Sequence, residues 1–237
     1  MLLPLGMALL VGASVAFAVS KVSSPQVNKD ALEIEGRYGF DQDGDPAKDD
    51  VQNYNLSANY GFTERVRGEF KTSFSNPPDE NFDFTGWDAL LRWQFFKPDE
   101  AWLSSALDVD YEFTENSDDP DALQLRVLVR KNFPEFNHTA NLGVKQQIGN
   151  NSDSSPVVIS AWQSVYKYSP EVMPGFEFFG NNSDGITDFE ENQYQLGPIL
   201  TGTVLDAVKY DVGYLFGLTS ASTEGEFKLI LTYRHQF

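Results

Sequence analysis

From Ala31 to the C-terminus, apolar and polar residues alternate with a period of two, the signature of strands with one apolar and one polar face. The last stretch is the clearest. Phe227, Leu229, Leu231, Tyr233, His235 and Phe237 alternate with Lys228, Ile230, Thr232, Arg234 and Gln236. Tyr210 to Leu218 repeats the pattern against Lys209, Asp211 and Gly213, and Leu103 to Phe113 repeats it against Asp108, Asp110 and Glu112. Carried along the chain, the alternation predicts about twelve strands, with ten as the alternative: 31–40, 51–62, 65–74, 85–96, 102–113, 122–133, 138–148, 157–168, 175–181, 192–203, 209–218 and 226–237.

The connections between these strands alternate long and short. The short ones carry turn chemistry such as Thr63-Glu64 and Pro134-Glu-Phe-Asn137. The six long ones, 41–50, 75–84, 114–121, 149–156, 182–191 and 219–225, hold 18 of the 35 acidic residues and one base, Lys48. The formal charge of −18 therefore lies almost entirely at one end of the strands, which excludes nucleic acid as a partner. A soluble β-sandwich, the rival reading, has no reason to segregate charge between its two ends. A closed antiparallel up-and-down transmembrane β-barrel does, with short periplasmic turns and longer acidic extracellular loops. No cysteine is present, so disulfide and thiolate chemistry are excluded.

Residues 1–18 read as a signal peptide, apolar and uncharged, ending in Ala16-Phe17-Ala18, the small-x-small pattern of a cleavage site. The missing basic residue before the apolar run leaves a start further upstream, or an uncleaved anchor, as alternatives. The expected organisation is a signal peptide (1–18), a periplasmic N-terminal tail (19–30) and a barrel (31–237).

In a membrane barrel the apolar rows face lipid and the polar rows fill the interior, the inverse of a soluble barrel. The lumen candidates are Glu33, Glu35, Arg37, Arg67, Glu69, Lys71, Arg92, Asp108, Asp110, Arg126, Arg130, Lys145, Asp211 and Arg234. Hairpin pairing sets Arg92 and Arg126 on either side of the Asp108 and Asp110 row, and closure of the last strand on the first brings Arg234 to Glu33 and Glu35. Such pairs either brace the wall or set the selectivity of a pore, and since neither sign dominates, bracing is the favoured reading. Aromatic residues fall near both sets of strand ends, as in two interfacial girdles.

The C-terminal stretch Phe227 to Phe237, with a terminal Phe and with Tyr233 four residues before it, resembles the assembly signal of bacterial outer-membrane barrels. That resemblance implies a Gram-negative outer-membrane location, contact with lipid and lipopolysaccharide, and recognition by the barrel insertion machinery. Tyr210 to Phe237, including Gly213-Tyr-Leu-Phe-Gly-Leu-Thr219, is similar to transport-type barrels related to the phenol meta-pathway outer-membrane channels.

The leading functional expectation is a channel or transporter for small solutes, cationic, neutral or aromatic, through a narrow mixed-charge lumen. The alternative is a non-catalytic structural or surface-interaction barrel whose acidic loops hold cations. Asp41, Asp43 and Asp45 around Gly44 resemble the opening of a calcium loop, although no Glu follows at the twelfth position, so loop-bound calcium or magnesium is the one cofactor considered. An outer-membrane hydrolase ranks last: of the two histidines, His138 lies at a short turn and His235 on the lipid-facing row, and spacing places no Ser or Asp partner beside either.

Overall fold

In the computed structural model, residues 19–237 are described apart from 47, 79, 99, 117, 154 and 183–188; the expected signal peptide lies outside the described residues. Twelve strands follow one another: β1 (Ala31–Gln42), β2 (Gln52–Gly61), β3 (Val66–Asn76), β4 (Asp83–Phe96), β5 (Ser104–Thr114), β6 (Asp121–Asn132), β7 (Phe136–Ile148), β8 (Val157–Tyr166), β9 (Met173–Asn182), β10 (Gln193–Val204), β11 (Val208–Gly217) and β12 (Gly225–Gln236). Every end falls within two residues of the position the alternation predicts. Each strand pairs antiparallel with its neighbours in sequence, and β12 pairs with β1 to close the barrel, with Glu33 opposite Arg234. The count is twelve, not ten.

Closure leaves no sheet edge, so every ladder amide has a partner without water. The two faces are inverted relative to a soluble protein. Leu56, Leu91, Leu125, Val127, Leu142, Val144 and Leu231 stand exposed on the outside, while Asn55, Ser57, Arg92, Asp108, Glu177 and Lys228 are buried within. An apolar surface so continuous is that of a membrane-spanning protein. Aromatic clusters ring the two ends. At the short-turn end Tyr60 packs on Phe62 and Phe237, and Phe136 packs on Tyr166; at the long-loop end Trp87 stacks with Phe70 and Phe113, and Tyr194 with Phe178.

The interior holds the main departure from the sequence-based expectation. Residues 19–30 are not a tail outside the barrel but a strap running through its lumen. Val19, Val22, Pro25 and Val27 are buried there. Asp30 adopts a left-handed backbone, φ 55°, which a short polar side chain tolerates, and so reverses the chain from the lumen into β1. Its N–H donates to the Gly61 carbonyl at 2.9 Å, and its carbonyl accepts from the N–H of Phe237 at 2.9 Å. The base of the strap is thus clasped by the end of β2 and the last residue of the chain.

Candidate functional site: the lumen and its strap

An extended segment inside a barrel has no strand beside it, yet its backbone N–H and C=O groups still require partners. Here wall side chains stand in for a neighbouring strand. The Asn141 amide accepts from the N–H of Ser23 at 2.8 Å and donates to the Ser23 carbonyl at 2.8 Å, copying the two-way bond of a β ladder. Gln94 accepts from the N–H of Val27 at 2.9 Å, and Glu226 accepts from the N–H and hydroxyl of Ser20 at 3.1 and 2.9 Å. Lys228 donates to the Ser20 carbonyl, Arg92 to the Ser24 carbonyl and Arg130 to the Ser24 hydroxyl. Close approach also needs small residues: a Cβ at Gly61 would lie 1.9 Å from the Asn28 carbonyl oxygen, so only glycine admits the strap there.

The sequence-predicted lumen residues other than Arg130 fall into four ionic groups; Arg130 has no ion pair among the described residues and donates to the Ser24 hydroxyl of the strap. The first spans β1, β3 and β12: Arg234 donates to Glu33, Arg67 bridges Glu33 and Glu69, and Arg37 bridges Glu69 and Glu35. Lys21 of the strap completes it, 2.7 Å from Glu35. The second is the triplet foreseen from the hairpin register. Arg92 grips Asp108 with two bonds of 2.6 and 2.7 Å, and Arg126 reaches the same carboxylate at 3.1 Å. The third, centred on Lys228, joins Glu177 and Asp211 from β9 and β11. The fourth gathers Lys71 with Asp88, and Lys145 with Glu112, around Asp110.

Five members of these groups, Lys21, Asp88, Glu112, Glu177 and Lys228, are not among the sequence-based lumen candidates. Lys228 and Glu177 meet across the strap from strands that are not neighbours, so no local register places them together, although Lys228 sits on the polar row of the last strand. Asp88 was legible in principle, lying on the Arg92 row four residues earlier.

Beside and above the strap the walls enclose a cavity of about 890 Å³, bounded by Val19, Lys21, Asp110, Glu112, Arg126 and Lys145 among others. Glu115, Asn116 and Asp119 of one long connection line its mouth. A cavity of this size accommodates one small molecule.

The predicted calcium loop takes a different form. Asp41 turns inward and accepts from Asn53 at 3.1 Å, whereas Asp43 accepts from the N–H of Asp45, as in an Asx turn, and Asp49 accepts from the N–H of Asp43 across the loop. The carboxylates of Asp41, Asp43 and Asp45 do not converge; the group of three that does, among the described residues, is Asp88, Asp110 and Glu112. His138, for which spacing offered no partner, has one: the β7–β8 register sets it opposite Ser164, with Oγ 2.8 Å from Nδ1. The pair faces outward in the aromatic girdle, against Phe133, Phe136 and Trp162. No carboxylate among the described residues hydrogen-bonds the ring, so no triad is assembled.

Outside the membrane-spanning strands, the short turns carry cross-links of their own. The hydrogen bond from Lys97 holds the Glu64 carboxyl below its ordinary range, and the bond from Arg65 does the same for Glu100.

No protein-family model and no curated relative matches the sequence. Solved structures do match in fold. The NanC porin is 8% identical, with 84% of this chain and 98% of that one covered at a TM-score of 0.59. The KdgM porin is 9% identical, with 85% and 98% covered at 0.59. The chain therefore shares the closed-barrel fold of these porins.

Proposed function

We propose that the protein is a bacterial outer-membrane channel for small solutes, narrowed by its own N-terminal segment. The observation that carries this reading is the lumen itself: a polar, charge-lined interior with a cavity of about 890 Å³ that opens toward the long loops and has the strap as one wall. A barrel built only to brace a membrane has no need of a hydrated interior of this size. The fold shared with two porins supports the same assignment.

Charge argues for cationic or neutral solutes. The long connections carry nearly all of the net negative charge, which raises the local concentration of cations at the mouth and depletes anions. Inside, the guanidinium and ammonium groups of Arg92, Lys228 and Arg37 are each matched by a carboxylate, which lowers their attraction for anions.

The strap favours one second reading, a structural barrel that does not conduct, because many hydrogen bonds hold residues 20–27 in place. Liposome swelling separates the two. A channel admits small amines and uncharged sugars and excludes an anion of equal size; a structural barrel admits none of them.

A further inference from the structure

We propose that Asp88, Asp110 and Glu112 form a calcium-binding site in the outer half of the lumen. Antiparallel pairing of β4 with β5 sets Asp88 directly opposite Glu112, and the two-residue period puts Asp110 on the same inward face. One oxygen from each carboxylate lies within 4.8 Å of the others. Calcium binds oxygen at about 2.3–2.6 Å, so ligands on opposite sides of one ion stand about 4.6–5.2 Å apart, and a triangle of this size fits around it. Magnesium, at about 2.0–2.1 Å, demands strict octahedral geometry, which three carboxylates shared with two lysines meet less readily.

A second observation points to a cation. Asp110 is 6% exposed, forms no ion pair, and its Oδ1 has no hydrogen-bond partner. Its neighbours are matched: Lys71 stands 3.2 Å from Asp88, and Lys145 pairs with Glu112. Three carboxylates thus face two ammonium groups, and the carboxylate left without an ion-pair partner is Asp110, the nearby Arg126 being engaged with Asp108. A buried carboxylate without a direct ion-pair partner is costly, and a bound cation removes that cost. The side chains of Lys71 and Lys145 keep 13% and 22% of their exposure to the cavity, so both can swing away as an ion enters. Gln124, directly opposite Asp110, adds an amide oxygen to the same row, and the cavity supplies water and a path from the loop mouth.

The test is calorimetric titration of EDTA-stripped, detergent-folded residues 19–237 with CaCl2, so it does not depend on whether the barrel conducts. The expected result is one saturable site per barrel, lost in both Asp110→Asn and Glu112→Gln and kept in Asp43→Asn, with MgCl2 binding more weakly. Asp110→Asn removes an unpaired charge and should fold, as a heat-modifiable gel shift will show; if it does not, Glu112→Gln decides. Absence of binding by the unsubstituted protein overturns the proposal. So does unchanged binding in the folded lumen variants, or loss of binding in Asp43→Asn instead.

Discussion

Replacing Asp108 by Asn tests the lumen's central ion group with no change in side-chain volume. Asp108 is fully buried, accepts two bonds from Arg92 at 2.6 and 2.7 Å and one from Arg126 at 3.1 Å, and Arg92 is itself 1% exposed. Arg67, directly opposite Arg92, keeps its own carboxylates Glu33 and Glu69, so the substitution leaves two guanidinium groups, those of Arg92 and Arg126, without theirs. Breaking a buried pair from one side costs about 3–5 kcal/mol, because the remaining charge is stranded. Arg126 borders the cavity and recovers water, so the lower end of that range, about 3 kcal/mol, is expected. Equilibrium urea unfolding in lipid vesicles, followed by tryptophan fluorescence, measures it. Removing both partners as Arg92→Met with Asp108→Leu strands less charge and should cost less than Asp108→Asn alone. A loss below about 0.5 kcal/mol for Asp108→Asn, the range of an ordinary surface change, would refute the reasoning.

Leu125→Arg, on the lipid-facing row, should destabilise the barrel by about 2–4 kcal/mol in the same unfolding assay, since an arginine near the bilayer midplane must be dragged into hydrocarbon. If the last strand acts as the assembly signal it resembles, Tyr233→Ala combined with deletion of Phe237 should reduce the heat-modifiable protein recovered from outer membranes, by gel densitometry, far more than it reduces refolding into detergent. The Glu64 and Glu100 carboxyls titrate below their unfolded values, so their contribution is present above the unfolded value and disappears as pH falls through the folded one. Amide exchange at residues 97–101, corrected for its intrinsic pH dependence, should therefore accelerate on acidification and not on moving to alkaline pH. Gly61→Ala should loosen the base of the strap, because its new methyl group would stand 1.9 Å from the Asn28 oxygen; increased proteolytic clipping within residues 19–30 reports it.

The strands were legible because one physical rule, lipid outside and water inside, acts on every residue from 31 onward and imprints a period of two that short turns interrupt. The Asp108 triplet was legible for a related reason: hairpins with tight turns have a register that can be read from the sequence. The strap was not. Its partners lie far along the chain, Ser23 on Asn141 and Ser20 on Glu226, and the wall groups that receive it are ordinary polar residues of an inward row. Lys228 and Glu177 were hidden for the same reason, since the lumen brings together strands that the sheet keeps apart. The Ser164 partner of His138 followed from cross-strand register alone, which residue spacing does not reveal.

The most direct test of a strap-narrowed channel is single-channel recording of residues 19–237 in a planar bilayer under a salt gradient, beside an Asn141→Ala variant. That substitution removes both side-chain bonds to Ser23 and leaves the barrel wall intact. The account predicts discrete, cation-preferring steps for the unsubstituted protein and larger or longer openings for the variant. Folded, heat-modifiable barrels that conduct in neither form would contradict it and leave a structural barrel in its place.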